Sequence, residues 1–383
     1  MQLLQLIRRT TAALLLTILG GAATSAPLAA ATTGMSPQET ATIPNEVRVV
    51  ALPGIIDDNL AETLAVFLRS CQTSTVQATA LQQACAAALT VPPNNSASAL
   101  LFFDSYFVAK PLTGSDGSPD VLATSYYEPL LEASSTPWGE FTTPIYAKPD
   151  IPRGSVFFTR EQIEKGGPEV APYLKDKVIA YTRRIDAFIL SIQGSGRLYM
   201  LPDGTLKRVV FSMRNGHSYK SIGRMLADSG KIKKLNLDTI KMYINNHPEE
   251  ADAIYWYNPA YVFYQLEDVP PGVSGPPGKL NLPLGLSPLR SVAADPALIT
   301  LGAPIFVTAR YDQTRSMARL MIAQDIGNAI IGTRVDIFSG SGPASEQLAK
   351  SMFDKSARVW QLVPKYSELT SQPVRYDNQI LHQ

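Results

Sequence analysis

The spacing of apolar residues changes several times along the chain, and each change marks a section. Between Leu60 and Leu89 two sets, first Leu60, Leu64, Phe67, Leu68 and Cys71, then Leu81, Cys85 and Leu89, recur at helical spacing. They predict amphipathic helices, with Asp57 or Asp58 as the first N-cap. Over 99–181, aromatic and β-branched residues alternate with turn residues, which predicts short strands broken by the Pro/Gly/Asp clusters at 114–119 and 149–154. Residues 177–190 are expected as two strands around the polar pair Arg183 and Arg184. A helical pair is expected at 218–228, stopped by Gly230, and at 237–245, ended by Pro248. Pro259 opens a strand over 261–266, and the segment VPPGVSGPPGK that follows is a linker or crossover. The remainder, 290–364, is β-rich with one helix starting near Pro343, and no internal repeat is visible.

The most informative stretch is RLMIAQDIGNAIIGTRVDIFSGSG, from Arg319 to Gly342. Two short strand-like runs, 320–324 and 334–338, are joined by a Gly/Asn-containing turn and bring Asp325 and Asp336 with them. In the second run Val335 and Ile337 share one face, so Asp336 points to the other. That carboxylate is the strongest proton-transfer candidate in the chain.

Composition narrows the class. At 383 residues, with 45% hydrophobic and 17% charged residues, the chain can build two packed domains. Its 34 basic and 33 acidic residues make no field for a polyanion, which argues against a nucleic-acid partner. Residues 1–31 read as an export signal: Arg8 and Arg9, an apolar run from Ala12 to Leu19, then small residues with cleavage after Ala26 or Ala31. A retained anchor is the other reading. No cysteine follows the apolar run, so a lipid anchor is not expected at that end. The two cysteines, Cys71 and Cys85, either pair or stay as buried thiols. On one continuous helix they would lie roughly 20 Å apart, so pairing requires a turn near 72–77.

Several motifs admit a structural and a functional reading. Gly340-Ser341-Gly342-Pro343 follows a strand and opens a helix, but lacks the last glycine of a dinucleotide loop, so helix capping is preferred. Gln193-Gly194-Ser195-Gly196-Arg197, after an expected strand at 188–192, is either a hairpin turn or a set of donors for sugar hydroxyls and amides. His217, in Asn215-Gly216-His217, lies at a turn before a helix, and with three histidines in all no zinc site is expected. Tyr126-Tyr127-Glu128 is either a β-edge with one buried tyrosine or a wall on which a sugar stacks.

Taken together, the blocks TSYYEP (Thr124 to Pro129), DAFILSIQGSGR (Asp186 to Arg197), NGHSYKSIGR (Asn215 to Arg224), NPAYVFY (Asn258 to Tyr264) and PLRSVAADPALITLGAPIFV (Pro288 to Val307) resemble the MltA-type lytic murein transglycosylases. The resemblance runs from about Leu60 to Gln361. It implies a mainly β protein with flanking helices and two domains separated by a groove. A double-psi β-barrel domain would comprise 32–130 and 266–383, with an inserted β-barrel domain at 131–265. It implies an exported, periplasmic or cell-envelope enzyme, working as a monomer without cofactor or metal. The substrate would be peptidoglycan strands, cleaved exolytically to 1,6-anhydromuramic ends. It further implies three characteristic aspartates at Asp295, Asp325 and Asp336, the last as acid/base. Tyr126, Tyr127, Glu128, Gln193, Gly194, Ser195, Gly196, Arg197, Asn215, His217 and Arg290 would be substrate-binding. Ser125 and Asn328 depart from the family pattern, each standing where glycine is usual. A hydrolase with Asp325 activating water, or a barrel that binds glycan without cutting it, are the alternatives. Arg334, two positions from Asp336, must turn away or pair elsewhere if Asp336 is to be an acid.

Overall fold

The computed structural model describes residues 45–365, apart from 153 and 313. The expected export signal over 1–31 lies outside the described residues. Fourteen strands are described, in chain order β1 Val47–Arg48, β2 Phe107–Pro111, β3 Val121–Glu128, β4 Leu130–Ser134, β5 Thr143–Tyr146, β6 Val178–Thr182 and β7 Gly196–Leu201. They continue as β8 Thr205–Arg214, β9 Val262–Asp268, β10 Ser291–Ala294, β11 Pro304–Arg310, β12 Ser316–Asp325, β13 Arg334–Ser341 and β14 Phe353–Pro364.

The alternation that marks β13 also dictates how it packs. Val335 and Ile337 are fully buried beside Val121, Val292, Ile305, Val307, Met321 and Val359, which together fill the inside of a closed ring. That ring is β14-β11-β12-β10-β13-β3, closed because β14 pairs with both β11 and β3. Closure leaves no free edge among these six strands. β10–β12 and β13–β3 run parallel, whereas β10–β13 and β11–β12 are antiparallel. β12 and β13, adjacent in sequence, are therefore separated in the sheet by β10.

The opposite faces of the same strands carry Phe306, Leu320, Ile322, Trp360 and Leu362. Helices Leu60–Cys71 and Ser96–Tyr106 cover them with a knot of phenylalanines, Phe67, Phe102, Phe103 and Phe107, whose ring centroids are 5.0–6.1 Å apart. The first of these helices is capped by Asn59, not by Asp57 or Asp58. Asp58 is drawn inward to Arg290 and the Leu320 amide. Helix Leu60–Cys71 stops in time for a turn, and Cys85 on helix Gln82–Ala88 returns to Cys71 to form a disulfide with a Cα separation of 5.5 Å.

A second, six-stranded sheet has the order β5-β6-β4-β7-β8-β9, and a bridge from Ala147 to Tyr264 joins its two ends. It spans Leu130–Asp268 and is entered from β3 through the single residue Pro129. The return, 269–290, is irregular and threads tightly. A Cβ on Gly285, at φ +71°, would lie 1.9 Å from the Gly275 carbonyl oxygen, so only glycine fits.

Two sequence expectations are corrected here. Residues 99–106 are helical, because Asn95 caps the turn through Ser98 N and starts a helix ahead of β2. Residues 188–192 belong to helix Arg184–Gln193, whose apolar residues Phe188, Ile189 and Leu190 are buried and which ends at Gly194, φ +81°. The short β-branched run resembled a strand, but the glycine after Gln193 is a helix C-cap.

Candidate active site

Four strands of the ring align one row of residues. Asp325 on β12 and Asp336 on β13 both pair with Ala293 on β10, and Asp336 pairs on its other side with Thr124 on β3. The two aspartates thus stand two strands apart, roughly 10 Å between backbones, across an alanine too small to fill the space. Asp336 lies on the face opposite the packed core.

Asp336 is partly buried and accepts a 2.7 Å hydrogen bond from the Thr124 hydroxyl. Burial dominates its titration, with help from the nearby Asp325 charge, against the opposing effects of Thr124 and Arg334, so its pKa is pushed up to about 6. Arg334 makes no ion pair with it. The guanidinium Nη1 donates to the Ala329 carbonyl at 3.0 Å and Nη2 to Thr124 Oγ1 at 3.3 Å. Thr124 consequently accepts from the cation and donates to the acid, holding the two apart. Thr124 was not singled out in the sequence; its only signal was its place at the head of the TSYYEP block.

Asp325 is also raised by burial, but one of its oxygens is engaged. Tyr126 OH donates to Oδ2 at 2.8 Å, and the nearby Ile326 and Lys279 amides work against the rise. Tyr126 packs on Phe338 with centroids 5.4 Å apart, and burial beside Asp325 keeps its phenol protonated well above the ordinary range. Asp295 stands apart from this pair. Its carboxylate accepts from Ala297 N at 2.9 Å and Gly332 N at 2.7 Å, which hold its pKa below the usual range and pin the end of the loop between β12 and β13.

The other residues expected at the site divide sharply. Glu128 is fully buried, and its oxygens accept from Arg208 Nε at 2.6 Å, Arg197 Nε at 2.8 Å and Ser341 Oγ at 2.6 Å. Glu128 and Arg197 therefore hold the two sheets together where β3 passes into β4, with no free oxygen left on Glu128 for a sugar. Arg290, 2% exposed, is enclosed by Asp58, Glu62, Thr63 and the Leu320 carbonyl under the helices. Asn215 is fully buried and staples Phe158 O, Pro259 O and Tyr261 N. Tyr127 is buried, and burial beside the Glu346 carboxylate raises its phenol pKa. Gly196 packs so tightly that a Cβ would meet Leu190 at 2.6 Å. Gln193 Oε1 accepts from Tyr127 N at 3.4 Å, and Gly194 and Ser195 form the capping turn between helix and β7. His217 lines a cavity of about 390 Å³ with Phe157, Phe158 and Tyr173, its Nε2 2.8 Å from Phe157 O.

Residues 122–265 match the MltA specific insert domain and residues 290–363 match the 3D domain. The chain is 31% identical over 265 residues to the membrane-bound lytic murein transglycosylase A of Escherichia coli K12, covering 66% of this chain and 68% of that protein. The chain belongs to the MltA family. Its fold is shared with a membrane-bound lytic murein transglycosylase from Agrobacterium tumefaciens (TM-score 0.71, 30% identity, 84% of this chain and 98% of that one). It is also shared with E. coli MltA bound to chitohexaose (TM-score 0.64, 26% identity, 82% and 91%). The matched 3D domain holds five of the six ring strands, and the insert match covers the second sheet from β4 to within three residues of the end of β9.

Proposed function

We propose that this MltA-family chain is a peptidoglycan lytic transglycosylase that cleaves the β-1,4 bond between N-acetylmuramic acid and N-acetylglucosamine, leaving 1,6-anhydromuramic ends. The observation that carries the reading is Asp336: a carboxyl raised to about 6, hydrogen-bonded by Thr124 and, among the described residues, in no ion pair. Such a group is about half protonated at pH 6 and about a tenth protonated at pH 7, and in that form can donate to a leaving oxygen. It then takes the proton of the C6 hydroxyl as that oxygen attacks the anomeric carbon. Because the nucleophile belongs to the same sugar, its effective concentration is high and no activated water is needed. Asp325 supports this over hydrolysis, since the Tyr126 hydroxyl holds the Oδ2 that would have to deprotonate water. The chitohexaose bound to E. coli MltA supports a groove that accepts β-1,4-linked N-acetyl sugars.

The family resemblance further implies an exolytic, monomeric enzyme of the periplasm or cell envelope. Among the described residues no helix is long and apolar enough to cross a membrane. Mass spectrometry of soluble products from purified sacculi, digested with the wild type and with Asp336→Asn, tests the chemistry. Anhydro-muropeptides from the wild type alone are expected. Products heavier by one water would replace the proposal with hydrolysis.

A further inference from the structure

Buried or half-buried arginines in this protein are mostly matched to carboxylates: Arg160 to Glu164, Arg184 to Glu164, Arg197 and Arg208 to Glu128, Arg290 to Asp58. Among the described residues Arg69, Arg214, Arg319 and Arg334 have no carboxylate ion pair, Arg69 being held by the Ser287 hydroxyl; of the four, Arg214 and Arg334 reach the same loop beside Asp336. Arg214, half-buried at the end of β8 in the second sheet, has among the described residues no carboxylate ion pair and meets the side-chain amide of Asn328. With the amide oxygen turned to the guanidinium, the contacts are 2.6, 3.1 and 3.2 Å. Arg334, at the start of β13 in the ring, meets neutral oxygens of Ala329 and Thr124, and its Nε is buried without a partner.

The two cations come from different sheets and converge on consecutive residues, Asn328 and Ala329, both exposed. Burial lowers the pKa of the Arg214 guanidinium, and no carboxylate offsets it. Five N–H donors in a planar fork fit a carboxylate far better than an amide oxygen. Arg334 is two residues from Asp336 on one strand face, roughly 7 Å away, so an anion held there would lie beside the reacting sugar.

We propose that Arg214 and Arg334 form a carboxylate-binding site beside Asp336, spanning the two sheets, that reads the acidic substituent of the muramic acid residue. This rests on the glycan-cleaving reading. The carboxylate can come from the stem peptide, or from the lactyl group once the stem has been removed. Asn328 occupies the Arg214 fork until the anion displaces it.

Binding of the full chain to three ligands tests the site: glycan strands with stems, strands stripped of stems by an amidase, and chitohexaose, which has no carboxylate. Calorimetric affinities are measured for the wild type, Arg214→Gln and Arg214→Lys. The wild type is expected to prefer carboxylate-bearing strands. Arg214→Gln should weaken them by about ten- to a hundredfold, the range of one charge-assisted hydrogen bond, and change chitohexaose affinity less than about twofold. Arg214→Lys should recover part of the preference. Loss confined to stemmed strands identifies the peptide carboxylates, and loss confined to stripped strands the lactyl group. Equal loss on all three ligands, or no loss on either anionic strand, overturns the proposal. If the arginine-dependent preference is present but sacculi yield no anhydro products, the cleavage reading fails and the carboxylate site stands. Normal cleavage without the preference is the reverse.

Discussion

Replacing Thr124 by valine removes one hydroxyl and keeps the shape of the side chain. The hydroxyl donates to Asp336 Oδ1 at 2.7 Å and so stabilises the charged form of the acid. A hydrogen bond to a charged group contributes about 1.5–3 kcal/mol, and one pH unit corresponds to about 1.4 kcal/mol. Thr124→Val should therefore raise the Asp336 pKa from about 6 by a further one to two units. A general acid works while protonated, so activity falls as pH rises through its pKa. The alkaline limb of kcat/KM for anhydro-muropeptide release should move up to about pH 7–8, and at pH 8 the variant should exceed the wild type by roughly ten- to fiftyfold. The assay is a profile from pH 4 to 9 on soluble glycan strands, with folding checked at each pH. A limb that stays in place would refute the role of Asp336 as the titrating acid. A limb that moves down would mean that Arg334, released from Thr124, has turned onto Asp336, making Thr124 a spacer.

The raised pKa also implies that Asp336 opposes folding when charged. Asp336→Asn should stabilise the fold by about 1–3 kcal/mol at pH 8, discounted for partial exposure, and by almost nothing at about pH 2.5, below the unfolded pKa of about 3.9, where the carboxyl is neutral in both states; denaturant midpoints at the two pH values check this. Arg290→Met leaves Asp58 buried and unpaired beneath the helices, so a loss of about 3–5 kcal/mol is expected by urea unfolding. Reducing Cys71–Cys85, which lie 14 positions apart, should cost about 3 kcal/mol from loop entropy, seen as a lower Tm with dithiothreitol and no change in the wild-type pH profile.

Local periodicity made Asp336 legible. Two apolar neighbours on an alternating strand are enough to place a carboxylate on the outer face, and the β13 core bears that out. The helix Leu237–Asn246 was legible for the same reason, from its spacing and the following proline. The partner of Asp336, Asp325, was named from the family resemblance, not from local pattern. Asp325 lies eleven positions away in sequence, and β10 separates the two strands in the sheet, a choice made by tertiary pairing that no local pattern encodes. The helix Arg184–Gln193 was misread because Phe188-Ile189-Leu190 is too short an apolar run to distinguish helix from strand; Gly194 as a C-cap was the signal that should have decided it. Glu128, Arg197 and Arg290 show the other limit. Charged residues in family blocks suggested contact with substrate, but at 0–18% side-chain exposure they are internal ion pairs, and burial is not written in residue type.

The order in which the ring strands occur along the chain has a kinetic consequence. β3 precedes its ring neighbours β13 and β14 by more than two hundred residues, because the whole of the second sheet is made between them. Such distant pairings form slowly, since loop closure must precede any gain from contact. Until β14 arrives, both β3 and β11 present unpaired edges. Asp336 and Thr124 meet only across the β13–β3 pair, so the acid and the hydroxyl that tunes it come together late in assembly. A chain ending before Phe353 would carry every catalytic side chain and still lack the closed ring that sets their spacing.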